Sequence, residues 1–142
     1  MKSKLYLIRH GQSTYNLENR FTGWKDVDLT NLGISQAKEA ATLLKNEIFD
    51  LAFTSNLLRA QKTLDIILGE LNIDLDIIKN EALNERDYGD LVSQNKTEAA
   101  EKFGKEQVQI WRRSFDTPPP GGESLKMTLE RTVPYFNSVV KP

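Results

Sequence analysis

The one histidine of this chain stands in the run "RHGQS", Arg9 to Ser13, at the end of the apolar stretch "KLYLI". Arg9 puts a guanidinium beside the imidazole, Gly11 lets the backbone come close to a ligand, and Ser13 adds a hydroxyl. A second cation, Arg59, sits in "TSNLLRAQKT", Thr54 to Thr63. Nearby cations lower the pKa of an imidazole, so its neutral, nucleophilic form prevails near neutral pH. Such an imidazole can attack phosphorus and hold a phosphoryl group covalently. The planar forks of arginine match the phosphoryl oxygens. One histidine and no cysteine make a poor ligand set, so no metal is expected. A serine hydrolase is disfavoured, because no G-x-S-x-G run is present.

These groups need a frame that brings them together. Lys4 to Arg9 reads as a strand buried on both faces, and Phe49 to Ser55, "FDLAFTS", as a second. Thr30 to Lys45 has Ile34, Ala37, Ala41 and Leu44 at helical spacing, with Thr30 as its cap. Asn56 to Leu71 is an amphipathic helix. Asn72 to Asn80 alternates apolar and polar residues, as an edge strand does. Asn95 to Trp111 is helical with Gly104 as its weak point, "DTPPPGGES" is a loop, and Leu125 to Val140 is a helix kinked or ended at Pro134. Strands alternating with helices predict a parallel α/β sheet. In such sheets ligands bind outside the carboxyl ends of the strands, where Arg9, His10 and Ser55 fall.

Composition sets the outer bounds. The chain has 142 residues, 39% hydrophobic and 27% charged, with a net charge of -1. That is one domain's worth of soluble chain, with no electrostatic invitation to nucleic acid or an anionic membrane. No apolar run reaches the roughly 20 residues of a membrane span, and the apolar stretch near Met1 is too short for a signal peptide. The expected location is the cytoplasm.

Longer stretches carry a family likeness. "RHGQSTYNLENRFTGWKDVDLTNLG" (Arg9 to Gly33), "TSNLLRAQKT", "LNERDYGDL" (Leu83 to Leu91), "NKTEAAEKFG" (Asn95 to Gly104) and "WRRSFDTPPP" (Trp111 to Pro120) occur in order along the chain. Together they resemble the cofactor-dependent phosphoglycerate mutases of the histidine phosphatase superfamily. The resemblance implies a three-layer αβα fold with a mostly parallel sheet. It implies that His10 accepts the phosphoryl group, that Glu85 donates and accepts the proton, and that Arg9 and Arg59 act with them. Ser13, Asn16, Thr22 and Gly23 would surround the substrate. Tyr88, Lys96, Arg112 and Arg113 would bind its carboxylate and phosphate groups, with 2,3-bisphosphoglycerate as the phosphoryl primer. A homo-oligomer, dimer or tetramer, is implied for the intact protein. Phe21 and Trp24 are expected to pack rather than react.

Two departures from the pattern matter. Ser93 stands where the family usually has glycine. The family also carries a second histidine in an H-G-N-S-like motif after a further strand, and no such motif occurs in these residues. Residues 1–142 are therefore expected to be the N-terminal part of one catalytic domain, lacking its C-terminal strands. The resemblance places a missing strand between Leu5 to Ile8 and Leu51 to Thr54. Two alternatives stay open: a phosphatase of the same superfamily, in which water takes the phosphoryl group, and an inactive fragment of the mutase.

Overall fold

Thr30 accepts a hydrogen bond from the amide of Gly33 through its side chain, and a helix starts there. The computed structural model describes residues 3–141. In chain order it holds α1 (Thr14–Leu17), α2 (Asn31–Leu43), β1 (Ala52–Thr54), α3 (Leu58–Leu71), β2 (Ile77–Lys79), α4 (Lys96–Phe103), α5 (Lys105–Arg113) and α6 (Leu125–Tyr135). Short 3-10 turns at Glu81–Leu83 and Gly89–Leu91 connect β2 to α4. Strands β1 and β2 pair in parallel, with Phe53 opposite Ile78, and α3 makes the crossover that a parallel pair requires.

Two apolar clusters hold these elements. Ala37 and Ala41 of α2 meet Ile67 of α3, the small residues letting the two helices approach closely. Phe21, Leu91, Ala99 and Val108 form the other cluster, with Tyr88 and Trp111 packed on it. The second cluster joins the segments that carry Thr22, Tyr88 and Lys96.

The expected helices and the second and third expected strands form, with shifted ends. The helix predicted over Asn95 to Trp111 is divided into α4 and α5 by Gly104, whose φ of +89° an L side chain rarely adopts. Helix α6 continues past Pro134 into a π turn over Phe136–Val140, closed by the Lys141 amide on the Phe136 carbonyl at 2.8 Å. Proline brings no N–H to the helical ladder, and a wider turn is one way to accommodate the fault. Ser93 takes φ +71°, which accounts for the usual glycine there. The strained position is tied down by the Ser93 hydroxyl on the Tyr15 hydroxyl at 3.0 Å and by Arg20 Nη1 on the Ser93 carbonyl at 2.7 Å.

The strand expected over Lys4 to Arg9 is not formed. Among the described residues, no backbone hydrogen bond reaches this segment, and Leu7 is 86% exposed. A strand is defined by its neighbour, and here β1 pairs with β2 alone.

The two kinds of apolar residue should respond differently to truncation. In the 142-residue chain, Leu7→Ser should change unfolding free energy by no more than about 0.5 kcal/mol, as exposed substitutions do. Phe21→Ala should cost about 3–5 kcal/mol, because Phe21 is fully buried. Urea unfolding of both variants checks this. A large loss from Leu7→Ser would mean that Leu7 is covered in solution.

Candidate active site

His10 is held by the residue that follows it. Its Nδ1 lies 2.7 Å from the carbonyl oxygen of Gly11. A carbonyl only accepts, so Nδ1 carries the proton and Nε2 of the neutral ring keeps its lone pair. Burial lowers the pKa of His10, and the cations Arg59 and Arg9 lower it further, against the Gly11 hydrogen bond and Glu85. The direction is the one that neighbouring cations imply, with burial as the leading cause.

The loop bearing His10 is fastened to two helices. The amide of Gly11 donates to the Thr63 hydroxyl at 3.1 Å, and that hydroxyl donates to the Arg59 carbonyl at 2.8 Å. On the other side Gln12 accepts from the Thr30 amide at 2.9 Å and donates its own amide to Gln36 at 2.8 Å. The backbones of Gly11 and Gly33 cross so closely that a Cβ on Gly11 would stand 2.2 Å from the Gly33 oxygen. A Cβ on Gly33 would meet the Gln12 oxygen at 2.1 Å.

Arg59 is the second fixed point. Its side chain is 1% exposed, donating to the Gly23 carbonyl at 2.8 Å and the Lys25 carbonyl at 3.1 Å. It also pairs with the Glu85 carboxylate at 2.7 Å, and Glu85 is 40% exposed. Glu85 thus reaches its arginine from the solvent side of the site.

The candidate residues fall into groups. Arg9, His10, Asn16 and Lys96 line an open cleft of about 450 Å³, together with Gln12, Gln36 and Thr63. Lys96 is shared with a neighbouring cleft of about 440 Å³ that Arg112 and Lys105 also line. Burial lowers the Lys96 pKa, and the Arg112 and Arg9 cations add to the effect against the Glu85 carboxylate. Lys96 also begins α4, where the helix dipole disfavours a cation. Neither cleft is lined by an acidic residue, and an anion would relieve the cations.

The others stand behind or beside. Ser13 is fully buried and caps α1, exchanging hydrogen bonds with Asn16. Thr22 is buried, and Gly23 offers its carbonyl to Arg59. Tyr88 packs on Phe21 at 5.0 Å between ring centres, with the Arg86 guanidinium 4.5 Å over its own ring. Arg113 is exposed at the end of α5 and lines neither cleft.

Several residues that serve the site were not anticipated. Thr63 closes the run "TSNLLRAQKT" but has no role assigned by it, and Gln36 and Arg131 stand outside the runs that carry the family likeness; all three bond backbone groups distant in sequence. Trp24 was expected only to pack, but its indole N–H donates to the Glu85 carbonyl at 2.7 Å.

Comparison with known proteins gives this geometry a context. The family described as the histidine phosphatase superfamily (branch 1) matches residues 5–141. A protein of Nitrobacter winogradskyi named 2,3-bisphosphoglycerate-dependent phosphoglycerate mutase is 60% identical over 141 residues, covering 97% of this chain and 68% of that protein. Its namesake in Methylocella silvestris is 57% identical, covering 100% of this chain and 70% of that protein. Among solved structures, a mycobacterial glucosyl-3-phosphoglycerate phosphatase complexed with VO3 superposes with a TM-score of 0.81 at 27% identity, over 92% of this chain and 61% of that one. The α-ribazole phosphatase of Shigella flexneri gives 0.78 at 28% identity, over 94% of this chain and 65% of that one.

Because His10 is the only histidine, its titration can be read directly. The ring C–H resonances should give a midpoint below the ordinary value of about 6.5. Between that midpoint and 6.5 the unfolded chain binds more protons, so stability should fall as the pH drops through this window. A proton NMR titration checks both sign and site. A midpoint above 6.5 would mean that His10 is not desolvated.

Proposed function

The chain belongs to the histidine phosphatase superfamily, and from that premise we propose that the whole protein interconverts 3-phosphoglycerate and 2-phosphoglycerate through a phosphohistidine at His10. The observation that carries the reading is the His10 ring, its Nδ1 proton committed to Gly11 and its Nε2 free, in a cleft lined by Arg9 and Lys96. His10 takes the phosphoryl group on Nε2 and returns it to a hydroxyl of the monophosphate. As the hydroxyl oxygen bonds to phosphorus and the P–N bond breaks, the Glu85 carboxylate accepts the hydroxyl proton; in the reverse half Glu85 returns it. Arg9 and Arg59 offset the charge on the phosphoryl oxygens, and Lys96 and Arg112 hold the remaining anionic groups. When bound, 2,3-bisphosphoglycerate supplies the phosphoryl group that first loads His10. The clefts around Lys96, lined by cations and by no acidic residue, suit such a ligand. A homo-oligomer in the cytosol, serving glycolysis and gluconeogenesis, completes this reading.

A phosphatase is the second reading. The solved structures described above include two named as phosphatases, at 27% and 28% identity. The mutase is favoured because relatives bearing that name reach 60% identity over nearly all of this chain.

Incubation of the whole protein with labelled 2,3-bisphosphoglycerate should give an acid-labile, alkali-stable phosphoenzyme that His10→Asn abolishes. Label retained by that variant would move the covalent site elsewhere. Glu85→Gln should lower kcat by about 10²-fold or more with a smaller effect on KM; an effect on KM alone would make Glu85 a binding residue. Enolase-coupled turnover compared with phosphate release separates mutase from phosphatase.

A further inference from the structure

Glu85 sits in an irregular loop, yet proton transfer needs its carboxyl held to within a fraction of an ångström. The structure contains a device for this, supplied by α6. Arg131 points its guanidinium into the loop and donates to four backbone carbonyls. Nη1 reaches Glu81 at 3.2 Å and Ala82 at 3.0 Å, and Nη2 reaches Asn84 at 2.9 Å and Glu85 at 3.1 Å. The same guanidinium forms a two-pronged ion pair with Glu123, Nε to Oε1 at 2.7 Å and Nη2 to Oε2 at 2.9 Å. Nε, Nη1 and Nη2 are thus all engaged. Glu123 in turn accepts from the Asp87 amide at 2.9 Å and donates its own amide to the Asp87 carbonyl at 2.9 Å. The loop is therefore gripped from Glu81 to Asp87 by one ion pair.

The grip converges on Glu85. Its carbonyl receives both Arg131 and the Trp24 indole, and the Arg131 guanidinium lies 5.5 Å over the Trp24 ring. From that fixed backbone the side chain reaches the Arg59 guanidinium at 2.7 Å. Asn84 is fixed too, its side chain accepting from the Asn56 amide at 3.0 Å. We infer that Arg131, oriented by Glu123, is a positioning residue that sets the Glu85 carboxylate for proton transfer. It touches no reacting atom. Burial would raise the Glu123 pKa, but Arg131 and the Asp87 amide hold it below the ordinary carboxylate range, so the pair stays ionised. Lysine cannot replace the fork, because one ammonium cannot span four carbonyls and a carboxylate.

The inference rests on Glu85 being the proton carrier, and its test has an arm independent of activity. Arg131→Lys and Glu123→Gln are made in the full-length protein, with the unsubstituted protein as reference. Hydrogen exchange of residues 81–88 should quicken about tenfold or more in both variants, while α2 and α3 exchange as before. Exchange in 81–88 that is unchanged, or that quickens only along with every other segment, overturns the positioning role. In the activity arm kcat should fall by on the order of 10²-fold with KM for 3-phosphoglycerate within about twofold. A loss in KM alone, or an unchanged kcat, also overturns it. Should the reference protein turn over no 3-phosphoglycerate, the proposed function fails, and the exchange arm still decides whether Arg131 holds the loop.

Discussion

The buried guanidinium of Arg59 is the constraint around which the site is arranged. A fully desolvated charge must be met by acceptors or it unfolds its surroundings. Here the acceptors are the carbonyls of Gly23 and Lys25 and the carboxylate of Glu85, drawn from two different loops. One turn along α3, on the same face, Thr63 carries the amide of Gly11. Two positions of a single helix thus locate the loop that bears His10, the Gly23–Lys25 segment and the carboxylate of Glu85. Arg59 and Glu85 are an ion pair at 2.7 Å, so the setting of the carboxylate is tied electrostatically to that of the arginine.

Position in the primary structure told much of this, unevenly. Helices α2 and α3 were legible because their apolar faces repeat at helical spacing and Thr30 is a good cap. The break at Gly104 and the disturbance near Pro134 were legible because both residues constrain the backbone directly. The strand over Lys4 to Arg9 was not, since apolar content reports a wish for burial and says nothing of whether a hydrogen-bonding neighbour is at hand.

The site divides along the same line. His10, Arg9 and Lys96 line one cleft, and Ser93 shows in its φ why glycine is usual at that place. Residues whose work is to hold main-chain carbonyls left no trace in the sequence. Arg131 lies far along the chain from Glu85, and a carbonyl acceptor exists at every residue, so no pattern of side chains advertises the bond. Trp24 was half legible: an indole is expected to pack, and only the geometry shows where its N–H goes.

The crossing of Gly11 and Gly33 has a consequence for how this chain can vary. Each added methyl would strike main-chain atoms, the Gly33 carbonyl in one case and the Gln12 carbonyl in the other. Side chains can be traded against one another, a smaller one making room for a larger. Main chain offers no such exchange. A substitution at either glycine has no compensating partner elsewhere, and any lineage that acquires one must shift the start of α2 bodily or lose the seat of His10. The two positions are in effect a single site that mutation can enter from either end and from which reversion is the short way back.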